Sequence, residues 1–412
     1  MDGVRRSGFS SAAVLGALLL LACNGRTASD DTPDSGSDPC EGAALEFHGV
    51  CFYAHSVEAM GYEHPLDLDG QPGHELVGLA EAKVSVHRFD GDGFTLVGEA
   101  ALPGEASPGI RSAALTGEFD DVPGLDLVVI SEGSWVALYH LDATGAPTLA
   151  WQHGFSSNDD KNNSLFWPVA VGPDSEGKWR IVAHYDNSDE IVGSDPLALW
   201  EVQGTTWVDE RIDLPPPSCA LEKCAGGDFD GDGRQDAICS FLDVPDGCPS
   251  GPSVEEFIHV VLSAQADGGV SVTTYPIAKE EGNFHFYVGD LDGDQISDLV
   301  WEMGGGTLRY RLGGASGFGS IVPLTPPEPP ELYWNVISLG DLDADGNSDL
   351  ILGDSYHGLV IDDVVGAPDR YELFEMNDEN AILGRASVDV NGDGVLDLAM
   401  SMRRLLVSEV TQ

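Results

Sequence analysis

Four stretches of this chain place oxygen-bearing side chains at positions 1, 3, 5 and 9 of a short loop. They are Asp228, Asp230, Asp232 and Asp236; Asp290, Asp292, Asp294 and Asp298; Asp341, Asp343, Asp345 and Asp349; and Asp389, Asn391, Asp393 and Asp397. Glycine stands at position 4 or 6 in every copy. A hard cation such as Ca²⁺ takes about six to eight oxygen ligands at roughly 2.3–2.6 Å, so the chain must fold tightly around it. Alternating acids turn several carboxylates inward, and glycine supplies the positive φ of the turn. Without a cation the same carboxylates repel one another.

An EF-hand begins with this spacing but needs a bidentate Glu at position 12 and a helix on each side. Here position 12 is Cys239, Trp301, Leu352 or Met400, and the flanks have the composition of strands. The EF-hand reading therefore fails. A plain acidic turn is the other alternative, because Asp and Gly favour turns anyway. Four full copies weigh against it. Weaker copies exist: Asp67, Asp69 and Glu75 keep positions 1, 3 and 9, with Gln71 at position 5. Glu118, Asp120 and Asp126 keep the frame with Val122 at position 5, and the segment from Val171 to Val182 keeps only the flanks. First positions at 67, 118, 173, 228, 290, 341 and 389 make seven repeats, 48 to 62 residues apart. Periods of this size indicate a solenoid, a propeller or an array.

The elements that position the loops are short strands. One runs into each loop and another runs out, as in Asp126-Leu-Val-Val-Ile and Asp349-Leu-Ile-Leu, and two more follow through a turn. Asp90-Gly-Asp-Gly93, Asp142-Ala-Thr-Gly145 and Ala266-Asp-Gly-Gly269 fill that turn slot and read as hairpins, not metal loops. Helical periodicity is absent over any long window. Four strands per repeat of about 50 residues match a propeller blade. The last repeat stops one strand short, while Leu45 to Tyr53 precedes the first repeat with no repeat of its own. The expectation is an all-β, seven-bladed β-propeller over residues 41–412, with the N-terminal strand completing the last blade and leaving no bare edge.

The loops between strands resemble FG-GAP (VCBS-type) repeats, the blades of the integrin α-chain propeller and of many bacterial surface proteins. That resemblance implies Ca²⁺ held by the four full sets named above, with a backbone carbonyl added from Arg234, Ile296, Asn347 or Val395. Gln295 departs from the pattern at position 6, which implies a strained or weaker second site. Asp67, Asp69 and Glu75 form a weaker set, and the third repeat is expected to hold no metal. The ion's role is read as structural, since its binding free energy adds to folding.

The chain opens with Arg5 and Arg6, then an apolar run from Ala12 to Ala22. The run is short for a membrane span and reads as a signal peptide over residues 1–22. Leu20-Leu21-Ala22-Cys23 resembles a bacterial lipobox, which implies lipidation at Cys23 and an exported protein anchored in the envelope, with Asn24 resembling outer-membrane sorting. Residues 23–40 contain no large apolar side chain and read as a tether. Nineteen Lys and Arg against 70 Asp and Glu give a formal charge of −51. That excess excludes nucleic acid and an anionic membrane surface as natural partners and suits cation binding. Apart from Cys23 there are six cysteines, an even number that favours disulfides in an exported chain. Nearest-neighbour pairing, Cys40–Cys51, Cys219–Cys224 and Cys239–Cys248, is the expectation, and no CxxC pair supports zinc.

If the metal loops end each blade's first strand, the residues that begin those strands share the opposite face. Arg111, Trp167, His285, Trp334 and Arg385 are the candidates there, in a mixture of aromatic and basic groups resembling a sugar- or peptide-binding face. The alternative is that the aromatics pack between blades. The chain has no GxSxG, HExxH or GxxxxGK[ST] motif. The reading is a monomeric, calcium-stabilised, lipid-anchored propeller that binds an extracellular or envelope glycan or protein. A polysaccharide lyase or glycoside hydrolase is the competing class, because some lyases are built on calcium-loaded propellers of this kind.

Overall fold

The computed structural model describes Cys40–Val410 except residues 41–42, 44, 49, 57–61, 67, 69–72, 74, 81, 104–112, 132–134, 155–163, 187–196, 204–205, 213–217, 244–255, 279–285, 304–306, 326–334, 354–356, 369, 376–386 and 401–403. The expected leader over 1–22, Cys23 and the expected tether up to residue 39 lie outside the described residues.

Every regular element among the described residues is a strand. The chain opens on a hairpin of β1 (Leu45–Phe47) and β2 (Val50–Ser56). Sheet 1 holds β3 (Tyr62–Leu66), β4 (Glu75–Ala80), β5 (Lys83–Phe89) and β6 (Phe94–Ala101). Sheet 2 holds β7 (Ala113–Gly117), β8 (Asp126–Ser131), β9 (Trp135–Leu141) and β10 (Pro147–Gly154). Sheet 3 holds β11 (Ser164–Val171), β12 (Arg180–Asp186), β13 (Leu197–Gln203) and β14 (Thr206–Arg211). Sheet 4 holds β15 (Ser218–Gly227), β16 (Asp236–Asp243), β17 (Glu256–Ala264) and β18 (Val270–Ala278). Sheet 5 holds β19 (Phe286–Gly289), β20 (Asp298–Met303), β21 (Thr307–Arg311) and β22 (Val322–Leu324). Sheet 6 holds β23 (Asn335–Gly340), β24 (Asp349–Gly353), β25 (His357–Ile361) and β26 (Tyr371–Glu375). Sheet 7 holds β27 (Ser387–Val388), β28 (Asp397–Met400) and β29 (Arg404–Val410), and continues through β2 to β1.

Sheets 1 to 6 pair their four strands in chain order, all antiparallel. In sheet 7, β2 takes the place after β29, with Val50 opposite Val410 and Ser56 opposite Arg404. Residues 90–93, 142–145 and 266–269 are the turns of the β5–β6, β9–β10 and β17–β18 hairpins.

Burial explains the sequence pattern of the strands. β8 and β24 are buried along their whole length, because both faces of each sheet are covered. Such strands read as continuous apolar runs instead of alternating ones. The fourth strands β6, β10 and β18 are mostly exposed or half-exposed and carry the polar residues that blunt an edge.

Among the described residues the core is divided into clusters that straddle consecutive sheets. Val77 and Val84 pack with Leu127 and Tyr139 between sheets 1 and 2, and Val128 and Ile130 with Ile181 and Trp200 between sheets 2 and 3. Val182 and Leu197 meet Ala237 and Phe241, and Ile238 meets Phe286 and Trp301. Val300 and Leu308 meet Leu350 and Leu359, and Ile351 and Val360 meet Phe47, Phe52 and Leu406. Val388, Val390 and Val407 of sheet 7 meet Leu76, Phe89 and Phe94 of sheet 1. First strands also lie beside one another in order, from β3 by β7 through to β23 by β27.

Cys40 and Cys51 form a disulfide as expected, which fixes the hairpin's lead-in segment. The second bridge corrects the nearest-neighbour pairing: Cys224 joins Cys239. These residues stand directly opposite each other on β15 and β16, with their Cα atoms 4.1 Å apart. Strand register, not distance along the chain, brings them together. Cys219 faces Leu242 in the same ladder, and Cys248 lies outside the described residues. Disulfides of this kind belong to oxidising compartments. Among the described residues no helix is long and apolar enough to cross a membrane.

His259 is the anomaly of the core. It is fully buried on β17, against Phe286 and edge-on to Trp301, and neither ring nitrogen has a hydrogen-bond partner among the described residues. Burial pushes the imidazole down to about 3, with the charge of Arg311 acting the same way. His259→Leu removes both orphaned nitrogens and is expected to raise stability by about 1–3 kcal/mol at pH 7. The folded-state pKa lies below the unfolded value, so the unfolded chain alone takes up this proton as pH falls from about 6.5 to about 3. Wild type should therefore lose about 1.4 kcal/mol per pH unit relative to the variant across that window. Urea melts of both proteins at pH 7 and pH 5 check this; parallel pH profiles would refute it.

Candidate metal loops and ligand face

Each full loop is wrapped by its own first residue. Asp228 accepts the N–H groups of Gly231 (2.7 Å) and Gly233 (2.8 Å), and Asp290 those of Gly293, Asp294 and Gln295. Asp341 and Asp389 do the same in the later copies. Position 5 then ties down position 7, through Arg234, Ile296, Asn347 and Val395. Two residues that are not glycine adopt the left-handed conformation this wrapping requires, Gln295 (φ 69°) and Ala344 (φ 60°). Each costs about 1–2 kcal/mol relative to glycine, so the loop is held against local strain.

Wrapping gathers carboxylates. One oxygen from each of Asp228, Asp230 and Asp236 lies within 4.8 Å of the others. The same holds for Asp290, Asp292 and Asp294, and for Asp341, Asp343 and Asp349. In the last loop the Asn391 amide donates to Asp393 at 3.1 Å and to the Ser408 carbonyl at 2.6 Å. Asp232 forms an ion pair with Arg234, and His48 from the β1–β2 turn reaches Asp343 at 2.8 Å. Asp290, Asp292 and Asp294 have no basic partner among the described residues.

Position 9 has a second task that the motif alone does not reveal. Asp236, Asp298, Asp349 and Asp397 are almost wholly buried. One oxygen of each accepts the N–H of position 2, from Phe229, Leu291, Leu342 and Val390. In three of them the other oxygen accepts an N–H from the end of the third strand or just past it, at Ala264, Gly313 and Ser408. Position 9 thus latches the loop to the sheet. Burial pushes Asp236, Asp298 and Asp397 up to about 7 and Asp349 up to about 8, opposed by those amides and reinforced by the neighbouring carboxylates. Such a cluster is relieved either by a proton or by a cation. The donor set, all oxygen and mostly anionic, fits a hard divalent ion such as Ca²⁺.

The early loops meet their charge with side chains. Glu75 is buried, accepts the Leu68 N–H at 3.0 Å and takes Arg88 Nε at 2.8 Å. Asp120 takes His140 Nε2 at 2.9 Å, and Arg180 Nη1 stands 3.5 Å from Asp174 in the third loop. Asp67 and Asp69 lie outside the described residues. These basic partners were missed in the sequence. The available signal was a basic residue two positions before the hairpin-turn Asp, as in Arg88 before Asp90 and His140 before Asp142.

Loops of adjacent sheets are joined through the backbone. The N–H of position 8 donates to the carbonyl of position 1 in the preceding loop: Ser297 to Asp228 at 2.6 Å, Ser348 to Asp290 at 2.9 Å and Leu396 to Asp341 at 2.9 Å. Gln235 and Gly172 exchange a reciprocal pair. Gly73 lies so close to the last loop that a Cβ there would stand 2.9 Å from the Val390 carbonyl oxygen.

Of the ligand-face candidates, Arg111, His285, Trp334 and Arg385 lie outside the described residues. Trp167 is described. It sits at a bulge in β11, between Phe166 and Val169, with φ 50° and 38% of its surface exposed.

Four-stranded antiparallel sheets that share cores face to face, with their first strands side by side, define an all-β, propeller-like protein. No family model matches the chain, and no curated protein matches it. Solved structures similar to it include the Dos1 propeller, at 11% identity and TM-score 0.49 over 83% of this chain and 77% of that one. They also include a Penicillium chrysogenum α-L-arabinanase complexed with arabinobiose, at 11% identity and TM-score 0.46 over 77% and 93%. The β-propeller domain of Myceliophteria thermophila Cps50 (Swd1) matches at 9% identity and TM-score 0.48 over 87% and 98%. Likenesses at this level carry nothing across about substrate or partner.

Proposed function

We propose that this chain is a calcium-stabilised, seven-bladed propeller, exported and lipid-anchored through Cys23, that binds a glycan or protein outside the cytoplasm. Support for seven blades comes from the cluster shared by sheets 7 and 1 and from β2 filling the place after β29. Support for calcium comes from the three carboxylate clusters, above all Asp290, Asp292 and Asp294. The four full loops would hold the ions, and none of them carries a binding or catalytic step in this reading. Two disulfides accord with export.

The observation that carries the binding reading is Trp167. A large aromatic, exposed and held in the left-handed conformation, is costly twice over, and such outliers concentrate where a ligand is gripped. Its indole offers a flat apolar face to a sugar ring or an apolar side chain. The mature chain with Cys23→Ser, screened against a polysaccharide array in calcium, tests this. Binding is expected to weaken at least about tenfold in Trp167→Ala, about 1.4 kcal/mol. Release of unsaturated or reducing ends would replace the binding reading with a lyase or hydrolase. Silence on every glycan would direct the search to a protein partner.

A further inference from the structure

The second loop leaves one buried carboxylate oxygen open. Asp120 Oδ1 accepts the Val122 N–H at 2.7 Å, and Asp126 Oδ2 accepts the N–H groups of Phe119 at 2.8 Å and Asp120 at 3.3 Å. One oxygen of each carboxylate is thereby fixed by backbone, and the other is turned toward His140. His140 Nε2 lies 2.9 Å from Asp120 Oδ2 and 3.8 Å from Asp126 Oδ1. All three donor atoms fall within 4.8 Å of one another. In the loops of sheets 4, 5 and 7 the corresponding oxygen is capped by an amide of the third strand. Asp126 Oδ1 is not: the residue is 1% exposed, and that atom has no hydrogen-bond partner among the described residues. A buried, anionic oxygen with nothing to accept is a costly orphan.

We propose that Asp120, Asp126 and His140 form a site for one divalent transition-metal ion of the zinc class, distinct from the calcium loops. An ion bound at about 2.0–2.1 Å in tetrahedral geometry holds its donors roughly 3.3 Å apart, between the two distances seen here. With Glu118 at position 1 and Val122 at position 5, this loop falls short of the oxygens calcium requires. An imidazole in the donor set favours zinc, cobalt or nickel instead. The backbone N–H groups that hold Asp120 and Asp126 supply the outer support such ligands need. The His140 side chain is 35% exposed, which gives the ion an entry path and leaves room for water as a fourth ligand. Strand register makes the arrangement: Asp126 on β8 stands directly opposite His140 on β9. An imidazole shared by both carboxylates is the simpler alternative, but at 3.8 Å from Asp126 Oδ1 it lies beyond hydrogen-bond reach and leaves that oxygen without a donor among the described residues.

The test uses untagged, metal-stripped full-length protein in saturating calcium, so that the acidic loops do not compete. Titration with Zn²⁺ by calorimetry and with Co²⁺ by visible absorption should give one site in both. His140→Gln should weaken that site at least about 100-fold, while the calcium-dependent melting point stays unchanged. Asp126→Asn keeps an acceptor for the Phe119 N–H and provides a second, independently folding variant with the same expected loss. Binding of Zn²⁺ that survives both variants, that calcium displaces one for one, or that is absent at about 100 µM overturns the proposal.

Discussion

Stripping the protein of divalent ions is expected to lower its melting temperature by about 10–15 °C relative to 10 mM calcium. Four loops contribute, and an extracellular-type site with Kd of about 10⁻⁴ M gains roughly 2.7 kcal/mol at a hundredfold excess of ligand. Four such sites total about 11 kcal/mol. At about 2.1 cal/mol/K of unfolding entropy per residue, a body of this size moves about 1.3 °C per kcal/mol. The cost of omitting the ion is concrete in the fifth sheet, where Asp290, Asp292 and Asp294 converge with no basic side chain among the described residues to offset them. Burial, with Asp294 and Asp290 nearby, raises Asp292 above the usual carboxylate range. Asp292→Asn should therefore lower the calcium-dependent part of the melting point by roughly a quarter while leaving the calcium-free melting point unchanged or raised. Magnesium should replace calcium poorly, because it demands a smaller octahedron that it fills with water. Calorimetric melts with and without chelator decide the matter; coincident melts would leave the loops as plain acidic turns.

A chain that begins at residue 57 is not expected to fold cooperatively. Removing the N-terminal hairpin exposes the whole length of β29, which pairs with β2 from Arg404 to Val410. It also removes Phe47 and Phe52, both fully buried against Ile351, Val360 and Leu406. Truncating a buried Phe to Ala costs about 3–5 kcal/mol, so the two rings together approach the whole net stability of a typical protein, about 5–15 kcal/mol. An open edge of this kind also templates aggregation. Phe52→Ala alone should cost about 3–5 kcal/mol in a urea melt, and Cys40→Ser with Cys51→Ser about 2–4 kcal/mol. Folding of the truncated chain with a native melting point would show that sheet 7 stands without the hairpin. Recovery of solubility on adding a peptide of residues 40–56 would show the converse directly.

The sequence carried the strands and the loops clearly because both are local. Apolar runs such as Leu127-Val-Val-Ile130 and the spacing of Asp290 to Asp298 are set within a dozen residues. What it hid is what register decides. Cys224 meets Cys239, and Asp126 meets His140, because two strands happen to be in step, and neither distance along the chain nor composition reports that. The latch at position 9 was hidden for a related reason: the amides of Ala264, Gly313 and Ser408 are backbone groups that any residue offers. His48 reaches Asp343 across 295 residues, a contact that exists only because the two ends of the chain share a sheet. Nothing in the residue type of Ala344 marks its left-handed backbone, which is as unusual as that of Gln295.

The pairing of β2 with β29 has a consequence in time. β2 (Val50–Ser56), the second strand made, is completed by β29 (Arg404–Val410), about 350 residues later, so the growing polypeptide carries an unfilled edge on β2 until β29 has emerged. Contacts of such long sequence separation also form slowly. A chain whose sheet 7 cannot close before β29 is made stays unlocked and threadable until then. If the chain is exported as proposed, the hairpin, β29 and the Cys40–Cys51 bridge would close together only after crossing, where an oxidant is present.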